Sequence, residues 1–437
     1  LETRLRGKAG NSRVEVNAVG RVMRELGREE GEPGATVQLT VDNALQNFCE
    51  ARLTGESAAT VIMDPRNGDL LALASAPSFD PNKFVRGISS KDYSALLEDP
   101  YRPLPNKASQ GIYPPGSTFK MVTALAALEH GLIKVEDTFT CNGYIELSSR
   151  RFHCWRRGGH GKVDMVRSLR ESCDVYYYEL SQLVGIDKIA EMGRKLGIGV
   201  RHDVPLGSVA KGVMPDKAWK LASGKGDWLI GDTLNATIGQ GYVLASPLQL
   251  AVMTARIASG TKIAPRLVRA IDGVEQPVRG LEPLDIDPVH LAAVRKGMYE
   301  VVNANHGTAG ASRVVAEGVR MAGKTGTSQV RNITAAERAR GVTSNADLPW
   351  ERRDHALFVG FAPHDAPQVS VSVVVEHGGG GSTAAAPIAR DVLLAALYDG
   401  IPPLSAYPSY QRGTIRTRLD NLDLRPPQKP SQGRGRA

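Results

Sequence analysis

The chain has 437 residues, of which 42% are hydrophobic and 23% are charged, with 46 glycines and 26 prolines. This composition excludes a disordered or collagen-like polymer, and no repeat with a period of about 20 to 50 residues is visible. The length is sufficient for one large enzyme-sized domain and a smaller unit.

The formal net charge of +8 is concentrated near the C-terminus, where residues 411–437 include seven basic and two acidic residues. Because this segment is also rich in proline and polar residues, we assign 403–437 as a flexible basic tail. The remaining chain is nearly balanced in charge, so no nucleic-acid partner is expected.

No stretch of the sequence has the length and apolar character of a membrane span. The longest uncharged run, 233–255, is interrupted by Gly239-Gln240-Gly241 and by Pro247. Since the chain starts at Leu1 rather than at Met, a signal or anchor that precedes it is compatible with the sequence.

The first elements predicted along the chain are a linker, a hairpin and a helix. Residues 1–40 are highly charged and read as the end of a smaller domain followed by a linker. Apolar runs at 58–63 and 70–75 flank an Asn-Gly turn, which predicts a β-hairpin. A Pro-Pro-Gly loop then leads into a predicted helix at 117–130.

Helical spacing further predicts helices near 164–184, 186–196, 246–259, 287–304 and 385–398, whereas 320–330, 356–362 and 368–376 have strand character. An early hairpin, many helices and three late strands indicate an α+β fold. Its mostly antiparallel sheet is assembled from both ends of a domain spanning 41–402 and is flanked by helices.

Ser117 and Lys120 stand three residues apart at the predicted start of a helix. Residues with this spacing share a helix face, with Cβ atoms about 5 to 6 Å apart, so the lysine can serve as a base for the serine hydroxyl. The helix N-terminus adds backbone N–H groups where negative charge would develop. The spacing alone is common, so its weight depends on the motifs that follow.

The second motif is Ser172-Cys173-Asp174, on a predicted helix. Its serine would extend a proton relay around the nucleophile. Asp174 departs from the Ser-x-Asn pattern that is usual at this place. Its negative charge favours a protonated Lys120, which leaves open which group is the resting base.

The third motif, Lys324-Thr325-Gly326-Thr327, opens a predicted strand. Lys324 adds a second amine to the relay, and Gly326 lets a substrate backbone lie against the strand. The hydroxyls of Thr325 and Thr327 can hold a carboxylate. The order S-x-x-K, S-x-N, K-T-G is a signature of serine acyltransferases, and this chain follows it except at Asp174.

With these motifs the sequence resembles the class B penicillin-binding proteins, and within them the members of the rod-elongation system. The likeness extends over nearly the whole chain. It rests on Glu15-Val16-Asn17, Met63-Asp64-Pro65, Pro77 to Asn82, Gln110 to Lys120, Gly239-Gln240-Gly241, Pro247 to Ala251, Ser172 to Asp174, Lys324 to Thr327 and Asp354-His355-Ala356.

The resemblance implies the transpeptidase fold that penicillin-binding proteins share with serine β-lactamases. It also implies a D,D-transpeptidase that cross-links peptidoglycan during cell elongation. Ser117 would attack the carbonyl between the two terminal D-Ala residues of a stem peptide and release D-Ala. An amine of a second stem peptide would then take the acyl group, and β-lactams would acylate the same serine.

The resemblance also implies roles for the matching residues. Lys120 would take the proton of the nucleophile, Ser172 with Asp174 would pass protons to the leaving amine, and Lys324 would support them. Backbone N–H groups of the nucleophile and of Thr327 would form the oxyanion hole.

The same resemblance implies a location and a partner. A membrane anchor would precede Leu1 in the full-length protein and hold a periplasmic catalytic domain at the inner membrane. A polytopic glycosyltransferase of the rod-elongation system would be the partner.

Cys141, Cys154, His160 and Cys173 follow one another at intervals of 13, 6 and 13 residues. Three thiolates and an imidazole suit a tetrahedral zinc site, but the Cys-x-x-Cys spacing of zinc knuckles is missing and disulfides are an alternative. The resemblance favours a structural Zn²⁺, because rod-system members carry one at a similar place. His153 is a rival nitrogen ligand.

Cys49 lies outside this group and is expected to be a buried or unpaired thiol.

Three other readings remain. Gly318 to Thr325 fits the P-loop pattern of ATP-binding proteins, although a P-loop is followed by a helix. A serine β-lactamase shares the triplet, but Gly231 stands where the Glu-x-x-Leu-Asn motif of class A enzymes has its glutamate. A non-catalytic β-lactam sensor would keep the same serine.

Two features receive an ordinary structural interpretation. Gly378 to Gly381 reads as a flexible loop, and His290, His355 and His377 show no partner pattern, so structural or surface roles are expected for them.

Overall fold

The computed structural model describes residues 1–85, 87–148 and 150–426. The strands are β1 (Asn11–Val16), β2 (Val22–Glu29), β3 (Val37–Leu39), β4 (Ala58–Met63), β5 (Leu70–Ala76), β6 (Phe139–Cys141), β7 (Tyr144–Leu147), β8 (Arg150–His153), β9 (Gly161–Val163), β10 (Val268–Ile271), β11 (Val274–Glu275), β12 (Ala322–Ser328), β13 (His355–Ala362) and β14 (Val369–Val375).

The α-helices are α1 (Glu2–Leu5), α2 (Asn43–Arg52), α3 (Asn82–Val85), α4 (Ser90–Glu98), α5 (Lys120–Glu129), α6 (Met165–Arg170), α7 (Asp174–Val184), α8 (Ile186–Lys195), α9 (Lys217–Ala222), α10 (Ile230–Thr237), α11 (Pro247–Ser259), α12 (Pro288–Asn303), α13 (Ala335–Arg340), α14 (Ala386–Leu397) and α15 (Arg412–Asp420).

The central sheet has the strand order β12-β13-β14-β4-β5, and every neighbouring pair is antiparallel. The early hairpin β4–β5 therefore joins the three late strands through the β14–β4 pair. All six residues of β4 and all seven of β14 are buried, as expected for apolar strands covered on both faces. The predicted α+β fold, with an antiparallel sheet built from both ends of the domain, is confirmed.

Helices cover both faces of this sheet. On one face, α2 and α14 pack against β4, β5, β13 and β14 in a core that also includes Phe48 and Leu393. On the other face, α11 packs against β4 and β14. The helix α5, buried along nearly its whole length, lies among α7, α8 and α12 and forms the centre of a larger helical core. This core holds the start of α5 next to the edge strand β12.

The N-terminal region divides into two parts. The hairpin β1–β2 is exposed along its whole length, whereas β3 pairs with β10 of the main body. None of the helices in the described residues is long and apolar enough to cross a membrane.

Near the C-terminus the structure differs from the predicted flexible tail. Residues 412–420 form α15, whose Ile415 and Leu419 are buried in the core that contains α14. Arg418 also pairs with the buried carboxylate of Asp391 at 3.2 Å. Apolar residues at i and i+4 give this helix one face to bury, a pattern that the high charge of the segment obscured. Residues 427–437 lie outside the described residues.

The predicted helix at 164–184 is two helices, α6 and α7, separated by residues 171–173. Ser172 has a φ of +54° at this break, a left-handed conformation that is uncommon outside glycine. The second motif therefore lies at a sharp turn between helices and not on a continuous helix.

Candidate active site

The candidate nucleophile is held in a short turn against the edge of the sheet. Ser117 is half-buried within the 3₁₀ turn Gly116–Phe119, which runs directly into α5. Gly116 has a φ of +54°, and a Cβ atom added there would lie 2.4 Å from the carbonyl oxygen of Thr327. Its backbone N–H donates to the carbonyl of Gly239 at 2.9 Å. Only glycine permits this close contact between the nucleophile turn and β12.

Lys120, at the start of α5, is fully buried and directs its amine toward the second motif. Its Nζ donates to Asp174 Oδ1 at 2.7 Å, to the backbone oxygen of Ser172 at 2.9 Å and to Ser172 Oγ at 3.2 Å. An ammonium group has three donors, so each donor has an acceptor here. Among the described residues, no hydrogen bond joins Lys120 Nζ to the hydroxyl of Ser117.

Lys324, on β12, approaches Ser172 from the other side. Its Nζ lies 2.9 Å from Ser172 Oγ and 3.1 Å from the carbonyl oxygen of Thr325. Burial, reinforced by the charge of Lys120, lowers the pKa of Lys324 well below its usual value. A neutral amine at this position can accept the hydroxyl proton of Ser172.

Asp174 begins α7 and connects the relay to the loop after β8. Its Oδ2 accepts a hydrogen bond from the backbone N–H of Trp155 at 3.0 Å. Burial raises the pKa of Asp174, although the neighbouring ammonium of Lys120 opposes this shift. The amine of Lys120 is thus fully buried in this pair, whereas the carboxylate of Asp174 keeps one edge toward the cleft.

Residues of all three motifs surround one cleft of about 570 Å³. Ser117, Ser172, Asp174, Thr325, Gly326 and Thr327 line it, and the two lysines lie buried behind them. Thr325 Oγ1 is 2.8 Å from Thr308 Oγ1, and Gln240 Nε2 donates to the carbonyl oxygen of Thr327 at 2.9 Å. The structure therefore brings together every catalytic and substrate-binding residue that the sequence predicts.

The four residues predicted to bind metal also meet. One ligand atom from each of Cys141, Cys154, His160 and Cys173 lies within 4.8 Å of the others, and all four residues are buried. His160 Nδ1 is 3.5 Å from the sulfur atoms of Cys141 and of Cys154. His153 is not in this group, so His160 is the histidine that the structure places beside the three thiols. The four cysteines of the chain are free thiols.

The geometry of this cluster fits a tetrahedral metal ion. With Zn–S bonds of about 2.3 Å and Zn–N bonds of about 2.0 Å, tetrahedral angles place ligand atoms roughly 3.5 to 3.8 Å apart. Hydrogen bonds from the Cys173 thiol, and then from His160, lower the pKa of Cys141 to about 6 and that of Cys154 to about 2. Thiolate is the form of cysteine that binds metals.

The cluster adjoins the relay through Cys154. Its sulfur accepts the backbone N–H of Asp174 at 3.4 Å, and Cys173 directly precedes Asp174 in the chain. The ring of Trp155 packs edge-on against His160, with centroids 5.5 Å apart. Any ion in the cluster would thus fix the turn that carries Ser172 and Asp174.

Sequence reasoning missed several residues of the site. Trp155, Gln240 and Thr308 make the contacts described above. Gln240 stands in the Gly239-Gln240-Gly241 motif, but the sequence assigned it no role in the site, and no short motif indicates Trp155 or Thr308, because they reach the cleft only through folding. Gly380 and Gly381 line the cleft, whereas we predicted a flexible loop at 378–381. Their position in the loop that follows the buried strand β14 could have indicated a role in the site, because loops held by a rigid scaffold often carry functional residues.

The histidines without a predicted partner have structural contacts. His290 Nδ1 is 2.5 Å from Glu129 Oε1. His355 and His377 lie beside the buried Glu376 in a second cavity, and burial lowers the pKa of His355 to about 4.

Cys49 is buried as predicted, and burial raises the pKa of its thiol.

The P-loop alternative is excluded by the strand β12. Lys324 and Thr325 lie within this strand, which continues to Ser328 and pairs with β13 along its whole length. A P-loop lysine instead lies where a loop enters a helix, because the helix N-terminus binds phosphate.

The sequence matches the family described as penicillin binding protein transpeptidase domain over residues 58–394, a range that includes all three motifs. The chain belongs to this family. The resemblance inferred from the motifs is thereby confirmed, and the antiparallel sheet with its flanking helices is a transpeptidase domain.

Two similar relatives are both named peptidoglycan D,D-transpeptidase MrdA. The protein from Haemophilus influenzae is 38% identical over 433 residues, which cover 96% of this chain and 65% of the relative. The protein from Escherichia coli K12 is 42% identical over 386 residues, which cover 86% of this chain and 60% of the relative. This chain therefore spans less than two thirds of the length of either relative.

Solved structures agree with this assignment. Pseudomonas aeruginosa PBP2 in complex with WCK 5153 aligns with a TM-score of 0.76 and 36% identity, over 86% of this chain and 83% of that chain. PBP2 of Helicobacter pylori in complex with MreC aligns with a TM-score of 0.77 and 33% identity, over 90% of this chain and 69% of that chain. The structure of a peptidoglycan synthase complex that coordinates polymerization and crosslinking aligns with a TM-score of 0.75 and 34% identity, over 91% of this chain and 70% of that chain.

The contact between the nucleophile turn and Gly239 can be tested with alanine. A Cβ at Gly239 would lie 2.3 Å from the carbonyl oxygen of Gly116, whereas one at Gly131 would have no atom within 4 Å, although both glycines have φ above +60°. We expect Gly239→Ala to lower the free energy of unfolding by more than about 2 kcal/mol, and Gly131→Ala by only about 1 kcal/mol of backbone strain. Urea unfolding measures both, and equal losses would contradict the close approach.

Proposed function

We propose that this chain is the catalytic domain of a serine D,D-transpeptidase that cross-links peptidoglycan stem peptides during cell elongation and is inhibited by β-lactams. The observation that carries this proposal is the convergence of Lys120 and Lys324 on one hydroxyl, Ser172 Oγ, behind a cleft that also contains Ser117. The names of the relatives support the same activity.

In the acylation step, Ser117 Oγ bonds to the carbonyl carbon between the two terminal D-Ala residues, and the C–N bond to the last D-Ala breaks. The proton of Ser117 must reach the leaving nitrogen. Lys120 can accept it after passing one of its own protons through Ser172 Oγ to Lys324, whose pKa burial lowers and which thereby favours the neutral, proton-accepting form. Ser172 Oγ then gives its proton to the leaving nitrogen and takes back the proton held by Lys324, so that the last D-Ala departs with a neutral amine and Lys324 returns to its starting state.

The developing oxyanion would lie between the nucleophile turn and β12. Backbone N–H groups of Ser117 and Thr327 are the proposed donors, because Gly116 brings these two segments into contact. The Thr325 and Thr327 hydroxyls would hold the terminal carboxylate of the donor peptide. An amine of a second stem peptide then attacks the ester carbonyl, forms the cross-link and frees Ser117.

We propose that Cys141, Cys154, His160 and Cys173 hold a structural zinc ion. Their buried positions and mutual distances support a closed tetrahedral site. When bound, the ion supplies no chemistry to the reaction but cross-links the β6–β9 region to the turn before α7. The backbone of that turn positions Ser172 and Asp174.

We also propose a cell context for this domain. Relatives of this family appear in structures with MreC and in a peptidoglycan synthase complex. A periplasmic domain that is anchored to the inner membrane and works beside a membrane glycosyltransferase of the rod-elongation system is the corresponding proposal for this chain.

The nucleophile can be identified by its covalent adduct. After exposure to a labelled penicillin, mass spectrometry is expected to find one adduct on Ser117, no adduct on Ser117→Ala, and an unchanged adduct on the exposed control Ser405→Ala. An adduct at another residue would sink the proposal. Rapid release of hydrolysed penicillin would instead indicate a β-lactamase.

The neutral amine of Lys324 has a pH consequence. Because its pKa is lowered, Lys324 stays neutral until the pH falls through that lowered value, and acylation by penicillin should slow below it. Arginine is always charged, so Lys324→Arg should acylate about 100-fold more slowly and lose this rise with pH. Stopped-flow rates with a fluorescent penicillin test this, with the exposed Lys296→Arg as control. A profile like that of the unmodified chain would rule out Lys324 as the proton acceptor.

The metal proposal predicts one zinc ion per chain in freshly purified protein, measured by inductively coupled plasma mass spectrometry. Cys141→Ala should lose the metal and lower the midpoint of thermal unfolding, because metal binding contributes to folding free energy. Cys49→Ala removes an equally buried cysteine outside the cluster and should keep the metal. Protein without metal whose thiols resist titration until it is reduced would show disulfides instead.

A further inference from the structure

Part of the lining of the catalytic cleft is strongly basic. Arg150 and Arg151 on β8 and Arg338 on α13 line the same cavity as Ser117. About 190 residues separate the two elements in the chain, so no sequence motif indicates that these residues line one cavity. We call these three residues the arginine wall.

Two of the three guanidinium groups lack an acidic partner. Arg151 Nε donates to Glu146 Oε1 at 2.7 Å. Arg150 lies over the ring of Phe152, 5.1 Å from its centroid, which is not an ion pair. Among residues 1–85, 87–148 and 150–426, neither Arg150 nor Arg338 has a carboxylate within ion-pair distance.

The acidic groups in the same lining are already engaged. Asp174 is paired with Lys120. Asp354 accepts hydrogen bonds from the backbone N–H of Val330 at 3.2 Å and from the side chain of Asn345 at 3.3 Å. The donors to Asp354 are neutral, so its charge offsets part of the positive charge, but the two unpaired guanidinium groups outnumber it and the lining stays net positive, an arrangement that attracts an anionic ligand.

The terminal carboxylate of the donor peptide does not account for this charge, because the Thr325 and Thr327 hydroxyls are the proposed site for it. A second carboxylate has a suitable receptor in Arg150 and Arg338, since guanidinium groups bind carboxylates through paired hydrogen bonds. The charge of the lining thus favours a peptide substrate with an acidic group away from the reacting carbonyl.

We propose that the arginine wall is a subsite for a second carboxylate of the peptide substrate. This carboxylate is carried either by the donor peptide, upstream of its scissile bond, or by the acceptor peptide. This inference rests on the proposed transpeptidase function and adds a specificity determinant to it. Because Arg150 is exposed, the attraction should weaken as salt screens it.

The experiment compares synthetic D-Ala-D-Ala peptides that carry either a free carboxylate or a carboxamide on a residue upstream of the scissile bond. In a second set of peptides, the free carboxylate or the carboxamide is carried by the peptide that supplies the acceptor amine. Acylation rates report on the donor peptide, and rates of aminolysis of the acyl-enzyme report on the acceptor peptide. The two sets therefore distinguish which peptide the arginine wall binds.

In one of the two sets, the double variant Arg150→Gln/Arg338→Gln is expected to raise KM for the carboxylate form about tenfold and to leave the carboxamide form nearly unchanged. Arg340→Gln is the matched control, because Arg340 is on α13 with Arg338 but does not line the cleft. Its kinetics should equal those of the unmodified chain.

A second variant should act in the opposite direction. Glu146→Gln releases Arg151 from its ion pair, so KM for the carboxylate form should fall about two- to threefold. A folding defect does not produce such a gain. The pair of variants thereby separates charge recognition from structural damage.

Two results would overturn this inference while leaving the proposed function intact. One is that the unmodified chain shows no preference for the carboxylate form in either set of peptides. The other is that the double variant raises KM equally for the carboxylate and the carboxamide forms. In both cases the labelled penicillin would still acylate Ser117. If the unmodified chain fails to form that acyl-enzyme, the proposed function itself is wrong.

Discussion

The structure depends on the placement of one hydroxyl, Ser172 Oγ, between two buried amines. Lys120 and Lys324 come from segments about 200 residues apart in the chain, and each lies within 3.2 Å of this atom. Two buried ammonium groups so close together would be costly, and burial beside Lys120 accordingly shifts Lys324 toward the neutral amine. Asp174 supplies the single compensating charge at 2.7 Å from Lys120. Two amines that hydrogen-bond to the same hydroxyl can pass a proton between them with little rearrangement.

That placement requires support from several directions. The turn that carries Ser172 is strained, and it is held by the thiol and imidazole cluster on one side and by the start of α7 on the other. Lys324 is fixed by the ladder between β12 and β13. The nucleophile turn approaches β12 so closely that only Gly116 fits. The cluster is therefore part of the active-site scaffold, because it anchors the turn between α6 and α7 that carries Ser172.

The cleft combines two kinds of recognition. Threonine hydroxyls on β12 offer neutral hydrogen bonds close to the nucleophile, whereas the arginine wall offers charge farther along the lining. Neutral donors near the reacting carbonyl avoid an additional buried charge beside Lys120 and Lys324. Guanidinium groups on β8 and α13 remain accessible to water, where an unpaired charge costs little until a ligand arrives.

The sequence by itself determined the motifs, the α+β class and most helices and strands, because apolar periodicity and turn residues are local signals. It also indicated the four members of the thiol and imidazole cluster. It did not show the break at Ser172, the helix α15, or the roles of Trp155, Gln240 and Thr308, and it gave no sign of the arginine wall. Those features arise where segments far apart in the chain meet. Only the tertiary structure decides burial and distance between such segments, and these two quantities set which lysine is neutral and which charges remain unpaired.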